Sequence, residues 1–273
     1  MHHVRWIGLM GWLAVEATLA GPRVITLGGA ITETVWALGE GHRVIAVDDS
    51  SGYPAETAAL PKVGYYRMVS AEGVLSLNPD LVLASDQAGP PPALAQMDAA
   101  GVPVITVPGG HGVAACTARI RAVGKALDRS EAAEDLAASI EASLAALPPP
   151  GDHPPRVLFV FARGAGTLNV SGTGTAADEI IRLAGGINAV DAYEGYRPLT
   201  SESALAAQPE FILTTTSGLQ SLGGADALLA TPGLANTPAG QAGQVAEMDD
   251  LLLLGFGPRL PEAVAKLREI LNP

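Results

Sequence analysis

The chain has 273 residues, of which 48% are hydrophobic and 16% are charged. This length and composition allow a sizeable core, arranged as two domains or as one large α/β unit, and they exclude global disorder. The net charge of −12 argues against nucleic acid as a partner, because phosphate binding requires a basic surface.

Residues 1–20 have the features of a secretory signal peptide. A weakly basic start that contains Arg5 precedes an apolar run, and small residues lead up to Ala20, although Glu16 is unusual in such a run. The run is too short and too interrupted for a membrane span. We therefore expect export of the chain. A helix that is kept in the mature protein is the alternative.

The next part of the chain alternates short apolar strands with helical patterns. Strands are expected at 24–27, 43–47, 82–83 and 102–107, and a helix is expected at 32–38. This alternation predicts βα units and a mainly parallel sheet.

A long helical pattern covers residues 113–147 and ends at three consecutive prolines, 148–150. The stretch 128–130 could interrupt it, but the pattern favours one long connecting helix. The domain limits that follow are 21–112 for an N-terminal lobe, 113–150 for the connecting helix with its linker, and 151–273 for a C-terminal lobe.

The last part of the chain repeats the βα pattern, with strands expected at 156–161, 211–214 and 244–248 and helices at 176–183 and 260–271. Moving residues 64–83 forward by about 130 positions aligns them with 194–213 without a gap, and Tyr66, Arg67 and Glu72 fall on Tyr196, Arg197 and Glu202. We therefore expect two similar, Rossmann-like α/β lobes.

Three stretches carry a resemblance to a known family: GYYRMVSAEGVLSLNPDLVL, GTGTAADEIIRLAGGINAV and GYRPLTSESALAAQPEFIL. Together they are similar to the periplasmic haem-binding proteins of bacterial haem uptake systems, within the solute-binding proteins of ABC importers. The resemblance implies two α/β lobes joined by a single long helix, with haem in the cleft between them. It also implies a monomer in the periplasm that delivers haem to an ABC permease.

The Tyr-Tyr-Arg segment provides the chemistry for an iron ligand. Ferric iron favours an anionic oxygen, and an arginine lowers the pKa of a nearby phenol, which is otherwise about 10. The resemblance places the axial ligand at Tyr65, with Arg67 in support. In an extended segment Tyr66 would face the opposite side. If the loop turns here, Tyr66 becomes an alternative ligand.

Other residues are expected to support haem binding. Arg67, Arg197 and Arg163 would offset the propionate charges, and Tyr66 and Tyr196 would contribute to the site. The apolar segment 251–254 with Phe256 would cover the ring face as a loop, although a buried strand or helix would explain the same residues. His111 is either a further ligand or a loop or helix-cap residue.

Glu72 and Glu202 lie in the first turns of two predicted helices. A carboxylate there is stabilised by free backbone amides and by the helix dipole, which is a sufficient structural reason for it. The resemblance implies a second role, because the family carries one such glutamate on each lobe to engage arginines of the permease.

Enzyme signatures are weak in this sequence. The glycine-rich segments at 28–29 and 164–174 lack the complete dinucleotide-binding spacing, and no nucleophile elbow or Cys/His metal motif occurs. A binding protein is therefore expected rather than an enzyme. The alternatives are a cobalamin or ferric-siderophore carrier of the same fold, and an α/β enzyme.

Overall fold

The computed structural model describes residues 21–162 and 168–272. Its strands are β1 (Val24–Leu27), β2 (Val44–Val47), β3 (Leu81–Ser85), β4 (Val104–Val107), β5 (Arg156–Phe161), β6 (Asn169–Ser171), β7 (Ile187–Asn188), β8 (Tyr196–Pro198), β9 (Phe211–Thr215) and β10 (Val245–Met248). Its α-helices are α1 (Gly29–Ala37), α2 (Ala71–Leu75), α3 (Pro91–Ala99), α4 (Val113–Ala126), α5 (Ser130–Ala145), α6 (Ala176–Leu183), α7 (Ser201–Ala207), α8 (Thr216–Leu222), α9 (Ala225–Leu229), α10 (Pro238–Ala242), α11 (Asp250–Leu254) and α12 (Leu260–Leu271). Short 3₁₀ turns cover Gly41–Arg43, Ala55–Ala59, Tyr66–Met68 and Leu234–Asn236. The expected signal peptide, residues 1–20, lies outside the described residues.

The first sheet is entirely parallel and has the strand order β2-β1-β3-β4. Every residue of β1 is buried, and so are the first four residues of β3. Continuous apolar strands of this kind are typical of parallel sheets that are covered on both faces. The βα units expected for this part of the chain are therefore confirmed.

The second sheet has the strand order β10-β9-β5-β6-β8. Strands β10, β9 and β5 are parallel, whereas β6 pairs antiparallel with both β5 and β8. The sequence pattern does not reveal β6 and β8, because each has only three residues. With two sheets and their covering helices, the expected α/β fold with two lobes is confirmed.

The expected single connecting helix is wrong, because two helices join the sheets. Helix α4 ends at Ala126 and α5 begins at Ser130. Between them Asp128 has a φ of 59°. This left-handed conformation is incompatible with a continuous right-handed helix.

Helices α4 and α5 pack side by side. Arg121 donates hydrogen bonds of 2.7 and 2.8 Å to the carboxylate of Glu134. A Cβ atom at Gly124 would lie 2.2 Å from the Cβ of Ala133, so glycine at this position allows the close approach. In turn α4 packs against α1 and β4, and α5 packs against α12. The helix pair therefore contacts both lobes.

One hydrophobic core extends through both lobes. It contains Val35 and Ile120 from the N-terminal part, and Phe159 and Leu267 from the C-terminal part, all fully buried. A shared core holds the lobes together more firmly than a linker alone. The limits 21–112, 113–150 and 151–273 remain a prediction. No helix in the described part of the chain has the length and apolarity that a bilayer span requires.

Candidate functional site

The main cleft lies where the carboxyl ends of strands from both sheets meet. Its volume is about 880 Å³. Residues that follow β1, β2, β3 and β4 line one side, and residues at or after the ends of β5, β9 and β10 line the other. Ligands of α/β proteins bind at this position, in pockets of about 300–1,000 Å³. The cleft is therefore the candidate binding site.

Two adjacent tyrosines lie on the N-terminal side of this cleft. Tyr65 is extended, and the 3₁₀ turn Tyr66–Met68 begins immediately after it. The two rings are 4.7 Å apart between centroids, at an interplanar angle of 61°, and both line the cleft. The expectation for an extended segment, that Tyr66 faces the opposite side, is wrong because the chain turns at this residue.

Arg67 contacts the second tyrosine directly. Its Nε donates to the Tyr66 hydroxyl at 3.1 Å, its guanidinium carbon lies 5.3 Å from the centre of that ring, and its Nη2 donates to Gln87. The pKa of Arg67 is raised, first by the hydrogen bond with Tyr66 and to a smaller extent by one with Tyr65. Arg67 therefore interacts with both phenols, and Tyr66 is its main hydrogen-bond partner.

Burial raises the pKa of the Tyr66 phenol, which Arg67 partly opposes. The hydrogen bond between Tyr66 and Tyr65 raises the pKa of Tyr66 further. Tyr66 is thus a neutral phenol that receives a hydrogen bond from Arg67 and is hydrogen-bonded to Tyr65. The three side chains therefore form one hydrogen-bonded group.

Tyr196 and Arg197 lie on opposite faces of β8. Tyr196 lines the cleft and packs against Phe161, with ring centroids 6.0 Å apart. The residue is 44% exposed, but its hydroxyl bonds to the buried Ser171 and Thr175, and burial raises the pKa of the phenol. Because β-strand side chains alternate, Arg197 points away and stacks over Tyr193 at 4.3 Å. Among the described residues that line the cleft, Arg197 does not occur.

The leucine-rich segment is helix α11, so the expectation of a loop is wrong. Leu251 and Leu254 line the cleft, whereas Leu252 and Leu253 are buried in the shared core. Helical periodicity explains this division. Phe256 does not cover a cleft wall: it is 1% exposed, with a left-handed φ of 50°.

His111 lines the cleft near the start of α4 and lies 5.5 Å from the ring of Phe256. The pKa of His111 is lowered, first by burial and then by the positive charge of Arg119, while Glu179 opposes this shift. The imidazole is therefore held mainly in its neutral form. The described residues contain no cluster of three or more His, Cys, Asp or Glu side chains that could hold a metal ion.

Comparison with known proteins identifies the family to which this protein belongs. Residues 24–252 match the family model described as periplasmic binding protein. The chain belongs to the periplasmic binding protein family. This match covers both sheets and the cleft lining up to residue 252.

Two solved structures are similar to this periplasmic binding protein. The periplasmic heme-binding protein RhuT from Roseiflexus sp. RS-1 is 43% identical, with a TM-score of 0.88 over 92% of this chain and 98% of RhuT. The periplasmic heme-binding protein BhuT, solved with two hemes, is 47% identical, with a TM-score of 0.86 over 92% of this chain and 97% of BhuT.

Two curated relatives are more distant. An uncharacterized ABC transporter substrate-binding lipoprotein, YvrC of Bacillus subtilis, is 28% identical over 92% of this chain and 80% of its own length. A vitamin B12-binding protein of Vibrio campbellii is 25% identical over 74% of this chain and 73% of its own length.

The two expected surface glutamates occupy matching places in this periplasmic binding protein. Glu72 is exposed in the first turn of α2, where Ser70 caps the helix, and Glu202 is exposed in the first turn of α7, where Thr200 caps the helix. Each helix leads into a strand, β3 or β9, and these strands keep the 130-residue offset at both ends. The repeat therefore presents one exposed carboxylate on each lobe.

Arg163 lies outside the described residues, so its expected role stays a prediction. The residue that sequence reasoning missed is Arg119, which lines the cleft from α4 and is 6% exposed. A signal for it exists in the sequence. Cys116, Ile120 and Val123 follow helical spacing on the buried face of α4, and Arg119 falls on that same face.

Proposed function

We propose that this protein captures ferric haem in its cleft, holds the iron through the phenolate oxygen of Tyr65, and releases the haem chemically unchanged. The observation that carries this proposal is the hydrogen-bonded group of Arg67, Tyr66 and Tyr65 at the cleft wall. A hard ferric ion favours an anionic oxygen ligand, and tyrosinate is an established axial ligand of haem iron.

The arrangement of the three side chains supports Tyr65 as the ligand. The oxygen of Tyr66 already accepts from Arg67, and both burial and its bond to Tyr65 raise the pKa of Tyr66. Its deprotonation is therefore costly. The neutral hydroxyl of Tyr66 can then donate to the Tyr65 oxygen, which stabilises a negative charge on that oxygen when iron displaces the Tyr65 proton.

The rest of the cleft fits a broad apolar ring. Leu251, Leu254 and Phe161 provide apolar walls, and Tyr196 supplies a second aromatic face from the C-terminal lobe. The similarity to RhuT and BhuT supports haem over other ligands, since both are named heme-binding proteins and each covers 92% of this chain.

Titration of the purified protein with hemin tests the proposal. We expect saturable binding with a Soret band and the charge-transfer absorption of a high-spin ferric tyrosinate. Apomyoglobin titrated with hemin in the same way provides the spectral contrast, because it binds haem through a histidine. A protein that leaves the spectrum of free hemin unchanged would rule out haem as its ligand.

Cobalamin is the second candidate ligand, because a vitamin B12-binding protein is among the relatives. Cobalamin does not need an axial phenolate, so Tyr65 would not be a metal ligand in a cobalamin complex. Equilibrium titration with cyanocobalamin alongside hemin separates the two ligands. Tight binding of cyanocobalamin with no response to hemin would favour the vitamin.

We further propose that the protein works in the periplasm and docks on an ABC permease through Glu72 and Glu202. Both residues are exposed, one on each lobe, and neither carboxylate forms a hydrogen bond or ion pair within the described residues. The similarity to an ABC transporter substrate-binding lipoprotein supports this setting. Arginines on a permease are the complementary partners of two separated carboxylates.

Reversal of both charges tests the docking proposal. In the Glu72→Lys/Glu202→Lys variant, haem uptake by cells that express the importer should fall at least about tenfold, because like charges at an interface cost several kcal/mol. Hemin affinity of the purified variant should stay at the wild-type value.

A matched control is Glu131→Lys, which changes an exposed glutamate in the first turn of α5. Uptake with this variant should equal that of the wild type. Normal uptake by the Glu72→Lys/Glu202→Lys variant would contradict docking through these two residues.

A further inference from the structure

Arg119 is a buried cation at the base of the cleft. It projects from α4, is 6% exposed and lines the cleft. Its Nη1 donates to the carbonyl of Phe256 at 2.7 Å and to that of Gly255 at 3.4 Å, and its Nη2 donates to the carbonyl of Gly110 at 3.1 Å. The guanidinium therefore connects backbone of both lobes.

The hydrogen bonds of Arg119 go to neutral carbonyls, which do not balance its charge. Asp86 and the Cys116 thiol act on Arg119 only electrostatically, and no carboxylate of the described residues lies within ion-pair distance of it. Burial accordingly lowers the pKa of Arg119. Buried charges in proteins are normally paired, because removing an ion from water is costly.

Two other buried carboxylates follow that rule, whereas the buried Asp48 accepts hydrogen bonds only from backbone amides and serine hydroxyls and does not face the cleft. The carboxylate of Glu33 pairs with Arg259, and the carboxylate of Glu40 pairs with Arg43 and Arg129. Arg119 differs from Glu33 and Glu40 because it lines the cleft and has no carboxylate partner among the described residues.

The Arg119 guanidinium also has N–H donors that form no hydrogen bond within the described residues. An arginine has five N–H groups, and three hydrogen bonds to carbonyls account for three of them. The two that remain, on Nε and Nη2, have no partner among the described residues. A planar guanidinium with two available donors is suited to a carboxylate.

We propose that Arg119 binds a carboxylate group of the cleft ligand and supplies its counter-charge from the base of the cleft. This inference rests on the proposed function, because haem carries two propionate carboxylates. It adds to Arg67 a second cationic group on the cleft lining and makes Arg119 a determinant of specificity for anionic ligands.

A comparison of hemin with its dimethyl ester tests the inference in the full chain. The ester keeps the iron and the ring but lacks both negative charges. In Arg119→Gln, hemin affinity should fall about 10- to 100-fold, as expected for loss of a hydrogen bond between charged groups, while affinity for the ester should not change. Arg121→Gln, which alters an exposed arginine of the same helix, should affect neither ligand.

The ester separates this role from a merely structural one. If Arg119 only positions the backbone of residues 255 and 256, the Arg119→Gln variant should lose affinity for hemin and its ester alike, which would overturn the inference. Equal, unchanged affinities would overturn it as well. Failure of the wild-type protein to bind either ligand would instead reject the proposed function.

A crystal structure of the wild-type protein with hemin provides a test that does not depend on the folding of a variant. We expect a propionate oxygen within hydrogen-bond distance of Nε or Nη2 of Arg119. A complex in which both propionates contact other groups or solvent would overturn the inference, while haem binding itself would stand.

Discussion

The Tyr65→Phe variant is expected to bind hemin at least about 100-fold more weakly than the wild type and to lose the ferric tyrosinate charge-transfer band. Mutation of a residue that merely supports a metal ligand costs about 10- to 100-fold in affinity, so loss of the ligand itself should cost more. Absorption titration of the purified variant measures both the affinity and the band. Phenylalanine keeps the ring and its contact with Tyr66, which limits the change to one oxygen.

Tyr66→Phe is the matched control, because it removes the neighbouring hydroxyl from the same cleft wall. The charge-transfer band should persist, since the Tyr65 oxygen remains. Affinity should fall about 10- to 100-fold, because the hydrogen bond from Tyr66 and its link to Arg67 are lost. Loss of the band in Tyr66→Phe with its retention in Tyr65→Phe would move the ligand to Tyr66.

Several elements of the fold follow from local sequence signals. The predicted bounds of β5, α6 and α12 coincide with those of the structure. Thr175 explains the start of α6, because its hydroxyl accepts from the amide of Asp178 in a conventional N-terminal cap. Strand β5 follows a run of prolines that cannot continue a helix. Where the chain itself carries the start or stop signal, sequence reasoning suffices.

The helix break between α4 and α5 depends on tertiary contacts instead. Alanine-rich sequence on both sides of Asp128 favours a continuous helix. The turn is stabilised from outside, because Arg129 donates to the buried Glu40 at 2.5 Å, which lies beyond α1 in the N-terminal lobe. A contact between residues 89 positions apart leaves no periodic signal in the sequence.

The candidate site likewise combines features that the sequence reveals with features that depend on distant contacts. The Tyr-Tyr-Arg motif and its position after a loop are visible in the sequence, but the turn that brings both rings into the cleft depends on distant backbone bonds. The Val69 amide donates to the carbonyl of Gly89, and the Gly89 amide donates to the carbonyl of Tyr66. Arg119 was missed for a related reason: an arginine in an amphipathic helix is normally taken as solvent-exposed, and only its register with Cys116 and Ile120 indicates burial.

A buried ion pair between Glu33 and Arg259 connects the two lobes, and its loss should strongly lower the free energy of unfolding. Glu33 on α1 accepts from the backbone amide and Nε of Arg259 at 3.0 and 3.1 Å, and from its Nη2 at 3.2 Å. The Glu33 side chain is 4% exposed, and the guanidinium of Arg259 stacks over Tyr53 at 3.6 Å. Burial raises the pKa of Glu33, while Arg259 opposes this shift. Without the arginine, the carboxylate would stay buried with its charge uncompensated.

The Arg259→Met variant is therefore expected to lose about 3–5 kcal/mol of unfolding free energy, the usual cost of removing one partner of a buried ion pair. For a chain of this size the melting temperature should fall by roughly 6–20 °C. Thermal unfolding followed by circular dichroism measures this change. Arg121→Met, which breaks the exposed pair with Glu134, should melt close to the wild type.

A pH series and a double variant identify the cause of the loss. A carboxyl whose folded-state pKa is raised contributes stability below its unfolded pKa, and that stability is lost as pH rises through the folded pKa. The deficit of Arg259→Met should therefore shrink as the pH falls toward the ordinary glutamate range, where Glu33 becomes neutral. Glu33→Gln/Arg259→Met should recover much of the loss, because no unpaired charge remains buried. A deficit that is independent of pH and persists in the double variant would show that Arg259 acts through its packing on Tyr53 and not through its charge.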